Sequence, residues 1–244
     1  MGSTVEPDMA APPFRNRLLT AAMEAGGESL VEHLKLMELE PPEELYEIGR
    51  PVRRVYFPEN CIISVVAMFE DGGMTEMATV GREGMVDTAV VLGGQVATNR
   101  AIIQMRGKAY AIERSVLEQA MEAAPKLRSV FQCYIQAFIG QVMQTVACNS
   151  AHVAEPRCAR WLLMSHDRSD GDTFPLTQEF LAQMLGVHRP TVSIIARQLQ
   201  AAGLIRYSRG SITVVDRAGL EEASCECYRA ILGQFDRRLP YRFA

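Results

Sequence analysis

Residues 176–216 read LTQEFLAQMLGVHRPTVSIIARQLQAAGLIRYSRGSITVVD, and the fold turns on this stretch. Phe180, Leu181, Met184 and Leu185 recur at helical spacing. Thr177 stands before them as an N-cap, with Gln178 and Glu179 in the first turn. Gly186 permits a sharp turn, and Arg189-Pro190-Thr191 suits the start of a second helix. That helix, about residues 189–202, turns Val192, Ile195 and Leu199 inward and closes at Gly203. Residues 204–207 and 211–215 are strand-like and flank Arg209-Gly210, the pattern of a two-stranded wing. Together they predict a winged helix-turn-helix, which places one helix in the DNA major groove.

Charge agrees with that reading. No Asp or Glu lies between Glu179 and Asp216, whereas His188, Arg189, Arg197, Arg206 and Arg209 do. A one-signed patch on a helix and its hairpin suits a phosphate backbone. A small helical subdomain with a basic surface is the plainer alternative. Over the 244 residues the net charge is −4, unevenly placed. Residues 1–150 carry 13 basic and 19 acidic side chains, and residues 151–244 carry 12 and 10. A local binding face is implied, not a generic polycation.

Working outward, residues 1–13 are rich in Pro and Ala and are expected to be disordered. Residues 14–23 and 29–37 read as short helices split by Gly26-Gly27. From Pro41-Pro42 to Arg114 the pattern is one of short strands: 52–57, 61–69, 74–80, 100–105 and 108–112. Turn signals, such as Glu70-Asp71-Gly72-Gly73, separate them. The expected product is a small antiparallel roll over 14–124. Residues 115–123 read as a helix, followed by a long one over 125–151. The apolar positions of the long helix cover more than one stripe, so one face can pack on the roll and another on a second subunit. Residues 154–166 and 217–235 are further expected helices, within a DNA-binding part over 152–244. The fold class is thus α+β. The residues MGSTVEPDMAAPPFRNRLL carry no basic start followed by an apolar run, and residues 61–69 are too few to span a bilayer. A cytoplasmic protein with reduced cysteines and no membrane partner is expected.

The stretch resembles the DNA-binding domain of the Crp/Fnr family, the cyclic-AMP receptor protein and fumarate–nitrate regulator type. Leu176, Thr177, Gln178, Ala182, Leu185, Gly186, Arg189, Thr191, Val192 and Ser193 carry the resemblance, followed by Leu199 and Gly203-Leu204-Ile205. It covers about forty residues. It implies a cyclic-nucleotide-binding-like β-roll, a long dimerisation helix and a C-terminal winged helix, in that order. The best-known members carry Glu after the arginine and often Arg after the serine. Here those positions are Pro190 and Ile194, so the familiar target sequences are not implied. His188, Arg189, Pro190, Thr191 and Ser193 remain as groove candidates, with Thr177 and Gln178 beside them. Arg197, Arg206 and Arg209 are candidates for phosphate.

Members of that family that bind cyclic AMP carry a Gly-Glu pair and then Arg-Ser or Arg-Thr. In this chain Gly84 precedes Met85-Val86-Asp87, and the later run is Thr98-Asn99-Arg100-Ala101. Glu83 or Asp87 is a displaced candidate for a ribose and Arg100 for a phosphate, with Asn99 a further pocket candidate. A degenerate pocket is the expectation: cyclic AMP is not predicted, the effector is unknown, and no cofactor is expected. An iron–sulfur sensor of this family would need a cysteine cluster before Cys61. His33 and His166 have no visible partner for haem. Cys133, Cys148 and Cys158 read as buried, inert thiols. Cys148 and His152 are four apart on one helix face, with Cys158 nearby but no fourth ligand. Cys225 and Cys227 are two apart and would diverge on a helix. No metal site is expected.

The function expected is that of a homodimeric regulator binding a palindromic operator in double-stranded DNA, with RNA polymerase as a further partner. The alternative is a protein-interaction module built on the roll, with accessory non-specific DNA binding. No nucleophile–base pair or phosphate-binding loop points to an enzyme.

Overall fold

The structure, a computed structural model, describes residues 14–239. The expectation for residues 1–13 falls outside them. The helix expected over 14–23 is α1 (Arg17–Glu24), capped by the Asn16 side chain, which accepts from the Leu19 amide. The helix expected over 29–37 does not form. A 3-10 turn, Glu28–His33, gives way to β1 (Lys35–Leu39), because this segment pairs with a partner strand and the ladder outweighs its helical spacing.

The strands are β2 (Glu44–Tyr46), β3 (Arg54–Pro58), β4 (Ile62–Met68), β5 (Met74–Val80), β6 (Arg100–Met105) and β7 (Gly107–Glu113). They form two antiparallel sheets, ordered β1-β7-β3 and β2-β6-β4-β5. In the β4–β5 turn the Asp71 carboxylate accepts from the Gly73 amide at 2.8 Å. Inward residues such as Val55, Phe57, Ile63, Val80, Ile103 and Ile112 fill the space between the sheets.

Two helices close the roll: α2 (Arg114–Ala123) and α3 (Pro125–Ala151), which begins on Pro125. Leu127, Phe131, Tyr134, Ile135 and Phe138 of α3 are buried in the common core. Then come α4 (Ala154–His166), β8 (Thr173–Pro175), α5 (Gln178–Leu185), α6 (Arg189–Ala201), β9 (Ile205–Ser208) and β10 (Ser211–Val214). The wing has three strands, ordered β8-β10-β9, where sequence predicts two. Among the described residues no helix is long and apolar enough to cross a membrane.

The single helix expected over 217–235 is two, α7 (Arg217–Ala223) and α8 (Cys227–Asp236). Ser224 is extended, and its hydroxyl donates to the Glu221 carbonyl at 2.8 Å, which ends α7. This break overturns the expectation that Cys225 and Cys227 diverge. Both thiols turn toward Cys148, since the rule for residues two apart holds only on a continuous helix. His166 also has partners that the sequence does not reveal. Its Nδ1 lies 2.8 Å from Arg217 Nη1 and its Nε2 2.9 Å from Asp172 Oδ1.

Buried polar groups join the roll to the C-terminal part of the chain. Glu76 on β5 accepts from Ser64 Oγ at 2.6 Å, Thr79 Oγ1 at 2.9 Å and, from α4, Trp161 Nε1 at 2.7 Å. Burial raises its pKa against those three hydrogen bonds. Past α4, Arg168 is buried and donates twice to Glu83 Oε1, from Nε at 3.0 Å and Nη2 at 2.8 Å. The same guanidinium donates to the Met164 carbonyl at 2.7 Å and the Thr79 carbonyl at 3.3 Å. Two glycines make room for this grip. A Cβ on Gly81 would sit 2.7 Å from the Arg168 side chain, and one on Gly84 would sit 2.2 Å from the Tyr134 ring. Tyr134 Oη in turn donates to the Met85 carbonyl at 2.9 Å.

Removing one partner of a buried ion pair strands the other charge, so Arg168→Met should cost about 3–5 kcal/mol in urea denaturation. Adding Glu83→Leu should restore much of that loss, and no restoration would mean that the pair is not the cause. Asp87 gives a pH signature. Burial pushes its carboxyl from 3.8 up to about 6, against the pull of Arg114 at 3.6 Å. The folded chain therefore holds this proton more tightly than the unfolded chain. The stability it adds is full below 3.8 and is lost as pH rises through about 6. The stability of Asp87→Asn minus that of the parent should thus climb across this window and stay flat above it.

Candidate nucleic-acid interface

The interface candidates sit on α5, α6 and the wing. Thr177 caps α5: its Oγ1 accepts from the Phe180 amide at 3.1 Å. Gly186 ends α5 in the left-handed region at φ 64°, where a Cβ is disfavoured. His188 is the extended residue before α6, and Pro190 lies in its first turn. Val192, Ile195, Ala196 and Leu199 are buried. The remaining face of α6 must then point outward, and His188, Arg189, Pro190, Ile194 and Arg197 are all exposed. Thr191 and Ser193 are half-buried.

The two helices are locked together at this face. Ser193 Oγ donates to Gln178 Oε1 at 2.6 Å, and it lies 3.2 Å from the Arg189 carbonyl. Below them Arg157 of α4 donates to the Leu185 carbonyl at 2.5 Å. Of the two acids that border the acid-free stretch, Glu179 and Asp216, Glu179 reaches into this face. Glu179 Oε2 reaches Arg189 Nε at 3.9 Å, with both side chains about two-thirds exposed. Such a pair contributes little and exchanges readily for another anion.

The wing turn has only two residues. Arg209 at φ 50° and Gly210 at φ 76° are both left-handed, the conformation that matches the twist of a two-residue hairpin. The Gly210 carbonyl accepts from the Leu176 amide at 2.8 Å, so the wing tip is fixed beside the start of α5. Tyr207 braces it, its hydroxyl donating to the Leu176 carbonyl at 2.6 Å. Arg206 and Arg209 are exposed. Arg209, Thr177, Gln178, Ser193 and Arg189 thus follow one another along a connected strip. Arg197 lies farther along α6, and Arg206 lies on β9. The N-terminus of α6 adds amide donors and a positive dipole end at the same place.

The four residues considered for an effector do not converge. Glu83 belongs to the Arg168 pair, and Asp87 faces Arg114. Arg100 pairs with Glu44 at 2.8 Å, at the edge of a different cleft of about 450 Å³ between the roll and α5. Asn99 is half-buried and contacts its exposed neighbour Thr98. Asp87 and Asn99 line a cavity of only about 20 Å³, narrowed by Tyr46, Met85 and Phe138. That is the volume of about one water, far below the roughly 300 Å³ of a small-molecule pocket.

Residues 156–223 match the Crp-like helix-turn-helix domain. The solved structure of FixK2 from Bradyrhizobium japonicum is similar, with a TM-score of 0.68 and 17% identity over 79% of this chain and 98% of that one. A CRP-family transcriptional regulator from Thermus thermophilus gives 0.64 at 19% identity, over 78% and 96% of the two chains. CLP, the c-di-GMP responsive global regulator of Xanthomonas campestris, gives 0.61 at 13%, over 79% and 97%. At these identities the likeness is one of fold. By sequence, no curated protein matches the chain. With its roll, motif and wing in this order, the chain carries a Crp-like helix-turn-helix DNA-binding domain within the fold of the Crp/Fnr transcription regulators.

Proposed function

We propose that the chain is a sequence-specific transcription regulator that reads a palindromic operator as a homodimer. The observation that carries this reading is the open basic strip from α6 to the wing tip, built on side chains that the fold locks in place. In this reading α6 enters the major groove. His188, Arg189, Pro190, Thr191 and Ser193 lie nearest the base edges, with Thr177 and Gln178 beside them. Arg197, Arg206 and Arg209 contact phosphate. Pro190 and Ile194 offer no hydrogen bonds to bases, so discrimination rests on Arg189, on the polar His188, Thr191 and Ser193, and on apolar contacts.

A stripe along α3 supports dimerisation. Gln132, Gln136, Ile139, Met143, Val146 and Ser150 are exposed at alternating spacings of four and three, without a charge among them. Met143 is 68% exposed and Val146 61%. An uncharged seam at this spacing suits a second copy of the same helix. On this reading residues 14–124 form the roll, 125–151 the dimer helix and 152–244 the DNA-binding part. The cavity of about 20 Å³ argues against cyclic AMP as the effector. The chain would act in the cytoplasm, with RNA polymerase as a further partner.

Selection from a random duplex pool, with the full chain and no added ligand, should enrich an inverted repeat. Its half-sites should lie about 34 Å apart, one helical turn. Enrichment of no motif, or of a single half-site, would reject the dimeric reading. On the selected operator, Arg189→Ala should cost about 1–3 kcal/mol and relax preference at one position. Arg209→Ala should weaken all duplexes alike and lower the salt slope by about 1. Met143→Glu should give a folded monomer by analytical ultracentrifugation, since it places a charge in the seam. An unchanged dimer would remove α3 from the interface.

A further inference from the structure

The break between α7 and α8 assembles a group of side chains that the DNA-binding reading does not use. Cys148 lies in the last turns of α3, and His152 is the residue that ends that helix. Cys225 lies in the joint before α8, and Cys227 opens that helix. Their four ligand atoms all lie within 4.8 Å of one another. Cys148 Sγ is 3.4 Å from Cys225 Sγ, and Cys227 Sγ is 3.7 Å from His152 Nδ1. All three thiols are buried, and they form a small cluster of their own, apart from the main core. We propose that Cys148, His152, Cys225 and Cys227 form a zinc site that clasps the end of α3 to the α7–α8 joint.

The separations of 3.4 and 3.7 Å are close to those around a single tetrahedral ion, and the whole group falls within 4.8 Å. With Zn–S near 2.3 Å and Zn–N near 2.0 Å, tetrahedral ligand atoms lie roughly 3.5–3.8 Å apart. A polynuclear iron–sulfur cluster holds its cysteine sulfurs farther apart than this group allows. Three thiolates and an imidazole select a soft or borderline cation over magnesium or calcium. Four protein ligands leave no open position, so the site is structural and not catalytic.

The surroundings fit a bound cation too. The other ring nitrogen of His152, Nε2, lies 3.3 Å from Glu226 Oε2, a carboxylate that orients Nδ1 toward the thiols. Gln144 Nε2 donates to Cys227 Sγ at 3.0 Å. Three thiolates, one neutral imidazole and Zn²⁺ leave a net charge of about −1. Arg157 and Arg160 of α4 stand close enough for their charges to act on the Cys148 sulfur. The Nε atoms of both arginines are buried without a hydrogen-bond partner among the described residues. On metal binding the thiols lose their protons to solvent, and no redox change is involved.

The test uses the full chain, purified under reducing conditions. Metal analysis should find about one zinc per chain. After chelation, cobalt(II) should bind at about one equivalent with the intense visible bands of tetrahedral thiolate-bound cobalt, and zinc should displace it. Cys225→Ser should lose or displace that spectrum, whereas Cys133→Ser, outside the group, should keep it. Weak six-coordinate cobalt bands with no zinc retained would overturn the proposal. So would a tetrahedral cobalt spectrum unaffected by Cys225→Ser, or a Cys148–Cys225 disulfide in place of metal. If Cys225→Ser does not fold, the cobalt spectrum of the parent chain still decides. Glu226→Ala is a gentler probe of the positioning carboxylate, expected to weaken zinc binding about 10- to 100-fold.

Discussion

A buried guanidinium and a buried carboxylate hold the two halves of this chain to each other. Arg168 and Glu83 are both nearly inaccessible to solvent, and neither could stay charged there alone. The pair therefore demands that the roll loop after β5 and the segment after α4 meet in one way. Gly81 and Gly84 meet that demand by leaving space for Arg168 and Tyr134. Glu76, on β5 itself, adds a second such contact by accepting a hydrogen bond from the Trp161 indole N–H. Apolar packing alone would tolerate some sliding between these parts. Directional polar contacts in a low dielectric do not.

Much of the architecture was legible because local signals agreed with tertiary needs. Pro125 starts α3, and the limits of α4, β5 and β6 follow their patterns directly. Lys35–Leu39 failed because its spacing suits a helix while β7 offers it a ladder. Glu44–Tyr46 and Thr173–Pro175, three residues each, are too short to carry any period.

At the candidate interface, the outward side of α6 was legible from the phase of Val192, Ile195 and Leu199. The Ser193–Gln178 hydrogen bond and the reach of Glu179 to Arg189 were not, since both depend on how α5 crosses α6. The thiol group was hidden for a stronger reason. Cys148 and Cys225 are 77 positions apart, and only a break in an otherwise plausible helix brings them together. The effector candidates failed the other way. Glu83 and Arg100 look like a displaced motif in sequence, yet each is taken by a different partner.

The connection between α3 and α4 consists of His152 and Val153 alone. Two residues supply four soft backbone angles, and both are already extended. A joint with so few degrees of freedom acts more as a fixed elbow than as a swivel. With α4 also pinned to the roll through Trp161, and α3 through Tyr134, both arms of the elbow are braced against the same body. In mechanical terms the long helix, the elbow and α4 make one bent strut, and the Arg168–Glu83 lock secures its far end.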